Sequence, residues 1–218
     1  MAKQSVTSDQ LNATTIARAA IAMIDAGGPE ALNFRALGDR LGVSHTTVHR
    51  RCGESVTGLL DMCMDYLAGQ LPEPQADATW PELAEQSFTA LYELLAAHPG
   101  LVALRGARPW MGRQLLARLT EPVLAAGERA GMTPTNSVTA YRRLYLFTLG
   151  CAAFVNHADA AATRETTRQG LAVLPPDQFP FLAGHLESVL DVVTGHGVFH
   201  SGLRQLIGTV ALDLVPLR

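Results

Sequence analysis

Two histidines and two arginines stand close together in the stretch R-L-G-V-S-H-T-T-V-H-R-R, residues 40–51. His45 and His49 are four residues apart, so a helix would bring both rings near one face, as in a two-histidine metal site. The glutamate of an H-E-x-x-H motif is missing, and no obvious third ligand follows nearby. Arginine, threonine and histidine are also residue types that contact DNA bases and phosphates. The stretch therefore fits a polar surface helix, a helix that lies in a groove of DNA or, with least support, a metal site.

The other patterns that could carry chemistry do not indicate an enzyme. The sequence contains no G-x-S-x-G motif, no Walker loop and no G-x-G-x-x-G motif. Asp61 and Asp65 share the four-residue spacing, which is more typical of a solvated helix face than of a catalytic carboxylate pair. The pair His196 and His200 is interrupted by Gly197 at an expected helix junction. We therefore expect no catalytic residue, no metal site and no cofactor.

Helices must position the stretch at 40–51, because apolar residues recur around it at helical spacing. Asn12 and Ser44 are good N-caps, and Gly42 stands where a left-handed residue ends a helix. Two short helices joined by a tight, glycine-containing turn form a helix-turn-helix. The helices predicted in this N-terminal part cover residues 13–26, 34–41, 45–51 and 56–70.

A boundary is predicted at P-E-P-Q-A-D-A-T-W, residues 72–80, where two prolines and small polar residues stop the preceding helix. It divides the chain into a head, residues 1–70, and a larger body, residues 71–218. The helices predicted in the body cover residues 82–97, 112–130, 135–157, 180–194 and 198–214, with Pro122 kinking or splitting the second of them. Residues 159–178 are predicted to form a mobile loop. The expected fold class is all-α.

The composition restricts the possible partners. Of the 218 residues, 48% are hydrophobic and 17% are charged, which is typical of a globular chain, and the net charge of −3 means that any nucleic-acid surface must be local. Residues 33–51 hold four arginines and one acid, Asp39, which gives a local charge of 4 − 1 = +3. The three cysteines have no CxxC spacing and are expected to be buried free thiols. A polar N-terminus and the lack of an apolar run of ~18 residues predict a cytoplasmic protein without a membrane partner.

The body contains more large apolar residues than a slim helix bundle needs, with a few polar residues among them. Mostly apolar walls with a few polar groups are typical of a ligand pocket, but simple core packing gives the same pattern. The candidates for a ligand-binding pocket are Phe88, Leu91, Leu104, Arg105, Arg108, Pro109, Trp110, Gln114, Phe147, Cys151 and Phe154.

The segment A-A-I-A-M-I-D-A-G-G-P-E-A-L-N-F-R-A-L-G-D-R-L-G-V-S-H-T-T-V-H-R-R, residues 19–51, resembles the DNA-binding head of TetR-family transcriptional repressors. The resemblance covers residues 11–70. The body is more faintly similar to the ligand-binding domain of the tetracycline repressors, through Trp80, G-A-R-P at 106–109, F-T-L-G-C at 147–151 and the final long helix.

The resemblance implies a homodimeric repressor that places two recognition helices in successive major grooves of a palindromic operator. The body would dimerise as a four-helix bundle through residues 135–157 and 198–214, and a small-molecule effector bound there would release the DNA. By position, the resemblance assigns base contacts to Arg35, His45, Thr46, Thr47, Arg50 and Arg51, and phosphate contacts to Phe34 and His49.

The sequence departs from the family pattern in ways that affect both sites. His49 stands where a tyrosine is usual, and Ser55-Val56 replaces a lysine, so two phosphate contacts are weakened. Leu104 and Phe154 occupy the places of the tetracycline repressors' metal-binding residues, and neither can hold a metal. A metal-free, mostly apolar effector is expected. Two alternatives stay open: a small-molecule-binding helical protein with weak or lost DNA binding and, with less support, an all-α enzyme.

Overall fold

The computed structural model describes residues 11–105, 112–154, 160–195 and 197–213, and every regular element in these ranges is a helix, which confirms the predicted all-α fold. The head helices are α1 (Ala13–Gly27), α2 (Phe34–Leu41), α3 (His45–Arg51) and α4 (Val56–Ala68). The body helices are α5 (Trp80–Ala96), α6 (Pro99–Arg105), α7 (Arg113–Leu115), α8 (Glu121–Arg129), α9 (Pro134–Phe154), α10 (Ala160–Ala172), α11 (Pro180–Gly184), α12 (Leu186–Thr194) and α13 (Gly197–Asp213).

The same capping device begins all four head helices. Asn12, Asn33, Ser44 and Ser55 each accept a hydrogen bond from the backbone N–H three residues further on, at 2.9, 2.8, 3.2 and 3.0 Å. Replacing such a cap by alanine costs about 1 kcal/mol. The caps at Asn12 and Ser44 confirm the sequence prediction, as does Gly42, which ends α2 in the left-handed conformation at φ 72°.

The head is compact because two glycines allow backbone segments to approach closely. A Cβ atom on Gly38 would lie 2.9 Å from the carbonyl oxygen of Val43 and 3.0 Å from the backbone nitrogen of His45, where α3 begins. A Cβ atom on Gly58 would lie only 2.0 Å from the carbonyl oxygen of Cys52. These contacts fix α3 between α2 and α4, and no larger residue fits at either glycine without moving the backbone.

The core of the body lies between α5, α9 and α13, which pack against one another. Three aromatic rings from these helices form a stack in which Phe199 lies between Tyr92, at 3.8 Å between centroids, and Phe147, at 5.9 Å. Such stacked pairs add to the free energy that burial alone provides. The stack holds α13 against both of the other helices.

Two predictions for the body are corrected by the structure, and a third agrees with it. The predicted loop at residues 159–178 is wrong, because α10 covers Ala160–Ala172. The predicted helix at 180–194 is two helices, α11 and α12, which are divided at His185. The predicted helix at 112–130 contains a π-helical turn, Leu116–Thr120, directly before Pro122. This last finding agrees with the prediction that the proline splits the helix, since it cannot donate the backbone hydrogen bond that a regular helix needs.

The helix α10 was missed because none of its side chains is buried, so it has no apolar periodicity. Arginines on α10 instead pair with acids on α12: Arg164 lies 2.9 Å from Glu187 and 2.7 Å from Asp191, and Arg168 is hydrogen-bonded to Glu187. Charge pairs between distant segments cannot be read from a local pattern. Within the described residues, none of the helices combines the length and the apolar character that crossing a membrane requires.

Candidate nucleic-acid interface

The helix α3 has one buried side and one polar side. Val48 is fully buried and lies against the core formed by Leu37 and Leu41 of α2. His45, Thr46, Arg50 and Arg51 are exposed, and Thr47 and His49 are half-buried. The residues that the sequence predicts for base contacts on this helix therefore share its outer side.

Hydroxyl groups order the N-terminal end of α3. The Ser44 Oγ atom lies 2.9 Å from Thr46 Oγ1 and 2.8 Å from Thr47 Oγ1, in addition to capping the backbone N–H of Thr47. The two threonine side chains are thereby held in place before any ligand arrives. A pre-ordered contact surface loses less conformational entropy on binding than a mobile one.

The side chains of Phe34 and His49 lie against each other. Their ring centroids are 4.8 Å apart and the rings are nearly perpendicular, at 81°. Phe34 begins α2 and His49 lies on α3, so this edge-to-face contact joins the two helices of the predicted helix-turn-helix. Both residues are half-buried, and the contact fixes the orientation of the imidazole.

The charges near α3 are accessible to a ligand. Arg35, Arg40, Arg50 and Arg51 are all exposed, as is the single acid of residues 33–51, Asp39. In front of the helix lies an open concavity of about 490 Å³, lined by His45, Thr46, Thr47, His49, Arg50 and Glu54. The sequence analysis did not single out Glu54, which reaches this surface because the chain folds back after α3.

The cysteines near this surface are inert supports. Cys52, which directly follows α3, and Cys63 of α4 are buried free thiols, and Cys151 is a half-buried free thiol. The expected free thiols are thus confirmed, and full burial is confirmed at two of the three positions. Burial raises the pKa of Cys52 to about 11 and that of Cys63 to about 12. Both therefore stay protonated at neutral pH. Among the described residues, no group of three potential ligands is placed to hold a metal ion.

Two polar contacts connect the head helices to the body helices. Asp25 of α1 is hydrogen-bonded to His98, just before α6, at 2.9 Å. Asp65 of α4 accepts a hydrogen bond of 2.7 Å from the backbone N–H of Gln114, in the first turn of α7. Asp65 thus caps a helix of the body, and the sequence analysis, which interpreted it as part of a solvated face, missed this role.

Close packing adds to these polar contacts. A Cβ atom on Gly112 would meet the carboxylate of Asp65 at 2.5 Å, and one on Gly100 of α6 would meet the side chain of Ile24 of α1 at 2.7 Å. The head helices α1 and α4 therefore lie directly against α6 and α7, and a larger residue at either glycine would have to displace the side chain that it meets. A shift of α6 or α7 would disturb these contacts with the head.

The predicted pocket residues fall into several groups. Phe88 and Leu91 are fully buried, and the ring of Phe88 lies 5.7 Å from that of Tyr141. Leu104, Phe147 and Cys151 are half-buried. Gln114, also half-buried, faces a groove between α1, α4 and α7.

Phe154 ends α9 and is 91% exposed, so another surface would have to cover it before it could line a pocket. Arg105 ends α6, and Arg108, Pro109 and Trp110 lie outside the described residues.

The chain is similar to known regulators over most of its length. Residues 71–211 match the family model of the tetracyclin repressor-like C-terminal domain. An HTH-type transcriptional regulator from Saccharopolyspora erythraea is 29% identical over 187 residues, which are 84% of this chain and 78% of that relative.

Solved structures share the fold at low sequence identity. A possible TetR family transcriptional regulator from Streptomyces coelicolor matches with a TM-score of 0.76 and 19% identity, over 93% of this chain and 100% of the other. The Streptomyces coelicolor protein ActR, in complex with actinorhodin, matches with a TM-score of 0.74 and 21% identity, over 93% of this chain and 96% of the other.

Proposed function

The chain belongs to the TetR family of transcriptional regulators, and we propose that it is a ligand-responsive repressor that binds a palindromic operator as a homodimer. The observation that carries this proposal is the pre-ordered polar side of α3, where two threonines, two histidines and one arginine line an open concavity. In this proposal residues 1–70 bind DNA, and residues 71–218 bind the effector and the second protomer.

The proposed DNA contacts follow the chemistry of the exposed side chains. Arg35 and the arginines that end α3 can each donate two hydrogen bonds to a guanine, and Thr46 and Thr47 can bind base edges or phosphates. Phe34 and His49 are proposed to lie at the phosphate backbone, in the orientation that their ring contact fixes. The local charge of +3 attracts DNA to a chain whose net charge is −3.

The proposed homodimer is supported by the exposed apolar residues of α9 and α13. Val138 and Leu146 of α9 are 53% and 51% exposed, and Val198 near the start of α13 is 45% exposed. Val138 and Leu146 are eight residues apart and therefore lie on one side of α9. A second protomer that packs α9 and α13 against the same helices would bury these residues in a four-helix bundle.

The proposed effector is a small, mostly apolar molecule that binds without a metal. ActR, which shares the fold, binds actinorhodin, and we place the effector of this chain beside the half-buried apolar residues Leu104, Phe147 and Cys151 of the body. Phe154 would line the pocket once the partner covers it. Binding that moves α6 or α7 would be transmitted through the Asp25–His98 and Asp65–Gln114 contacts to α1 and α4. The effector must bind the DNA-free state more tightly for release to follow.

Selection from a randomised palindromic duplex pool, followed by gel shift at low and physiological salt, tests the proposal. We expect enrichment of one inverted repeat, and a loss of binding of about tenfold or more in Arg35→Ala and Thr47→Ala, since one good base contact contributes about 1–3 kcal/mol. Thr166→Ala, which changes an exposed threonine of α10, outside both proposed interfaces, is the matched control and should bind normally. Failure to enrich any sequence, or equal binding by all three variants, would refute the proposed repressor.

A further inference from the structure

Glu54 is the only acid among the residues that line the concavity in front of α3. The other lining residues are the threonines, histidines and arginine that the proposed function uses to bind DNA. Glu54 is exposed, and within the described parts of the chain its carboxylate forms no ion pair. A negative charge therefore lies on the proposed DNA-binding surface.

The backbone that carries Glu54 is tied to α3. Gly53 and Glu54 both have left-handed conformations, with φ values of 67° and 58°, and Glu54 is the only described non-glycine residue with a positive φ. Its backbone N–H donates a hydrogen bond of 2.9 Å to the carbonyl oxygen of His49, in α3. Glutamate adopts this conformation at an energetic cost that glycine would avoid. The main chain of Glu54 is thus fixed at the end of α3, and its side chain extends from that point.

The electrostatic effect of Glu54 on DNA binding can be estimated from the local charges. Residues 33–54 hold four arginines and the acids Asp39 and Glu54, so the local charge falls from +3 to 4 − 2 = +2 when Glu54 is included. Duplex DNA carries about one phosphate charge per 1.7 Å of its axis, whatever its sequence. A carboxylate on the binding surface must repel this charge in every duplex.

On the basis of the proposed DNA binding, we infer that Glu54 limits the affinity of this protein for DNA in a sequence-independent way. Its carboxylate opposes the attraction between the neighbouring arginines and the DNA phosphates. Binding to duplexes that offer no matching base contacts therefore becomes too weak to compete with binding to the operator. The affinity of the surface for DNA then depends on the base contacts of Arg35, Thr46 and Thr47. This repulsion lowers the affinity for DNA in addition to the weakened phosphate contacts at His49 and Ser55.

The test compares Glu54→Gln with the wild type on a random-sequence duplex, which needs no knowledge of the operator. Glu30→Gln is the matched control, because it makes the same charge change on the short turn Pro29–Ala31, which packs against α6. At about 50 mM salt we expect Glu54→Gln to bind about three- to tenfold more tightly, with a gain that shrinks towards about 200 mM. The slope of log affinity against log salt should steepen by about one for the dimer. The control should bind like the wild type.

Other outcomes overturn the inference in distinguishable ways. Equal binding by Glu54→Gln and the wild type would show that the carboxylate is too far from the phosphates. Weaker binding of Glu54→Gln to the enriched duplex alone would show that Glu54 accepts a hydrogen bond from a cytosine instead. If neither protein bound any duplex at low salt, the proposed repressor function itself would fail. Circular dichroism of both variants confirms that the head is folded in each comparison.

Discussion

Gly58→Ala should destabilise the head and displace α3. The added Cβ atom would lie 2.0 Å from the carbonyl oxygen of Cys52 and 3.0 Å from its carbonyl carbon, whereas ordinary contacts begin at 3.4 Å. The two atoms must therefore move apart by 3.4 − 2.0 = 1.4 Å. Because the atoms of Cys52 that are met here belong to the backbone, no side chain can rotate away. Since Cys52 directly follows α3, α3 itself must shift.

The expected magnitude is the difference between two opposing effects. Overpacking of this kind costs about 3 kcal/mol at the upper end of the usual range. Alanine in place of glycine within a helix raises the free energy of unfolding by about 1 kcal/mol. The free energy of unfolding should therefore fall by about 2 kcal/mol, which lowers the Tm of a chain of this length by about 4–8 °C.

Thermal unfolding followed by circular dichroism measures this change. Gly170→Ala, in α10, is the matched control, because its Cβ atom would meet no other atom within 4 Å. The control should have an unchanged or slightly higher Tm, since it gains helix propensity without a clash. A Gly58→Ala protein as stable as the wild type would show that α3 and α4 do not approach each other as described.

Three further predictions concern other parts of the chain. Asp65→Ala removes the cap that α4 provides to α7 and should lower stability by about 1 kcal/mol in thermal unfolding, and an unchanged Tm would refute the capping role. The hydrogen bond from Arg168 lowers the pKa of Glu187 below its usual 4.5, so the pairing of α10 with α12 stabilises the fold above that pH and is lost as the pH falls below it. Faster amide exchange in α10 at acidic than at neutral pH, after correction for intrinsic rates, would confirm this, and equal protection would contradict it. Cys52 and Cys63 should resist a thiol reagent at neutral pH until the protein unfolds, and rapid labelling of either would disprove their burial.

The head could be predicted closely from the sequence because its signals are local. Asn12, Ser44 and Gly42 act within a few residues of their own positions, and the apolar residues of α1 to α4 recur at helical spacing. The bounds of α2 and α3 are those predicted. The close approach at Gly58 was not predicted, because it depends on how α3 and α4 meet and not on any pattern within either helix.

Other features depend on contacts between distant residues and could not be predicted. Asp65 and Gln114 are 49 positions apart, and nothing in the sequence around Asp65 distinguishes a helix cap from a solvated acid. The helix α10 has no apolar side to reveal it. For Phe88 and Phe147, the sequence could not separate pocket from core, because both environments select the same residue types. Their aromatic contacts with Tyr141 and Phe199 are visible only in three dimensions.

The central claim is that the outer side of α3 binds DNA. Hydrogen exchange of the full chain, measured with and without the duplex enriched by selection, locates the bound surface directly. We predict increased protection at residues 34–35 and 45–51, with a further change at the start of α7 through its contact with Asp65. Protection confined to the body helices, or none in α3 under conditions where the duplex is fully bound, would contradict the account.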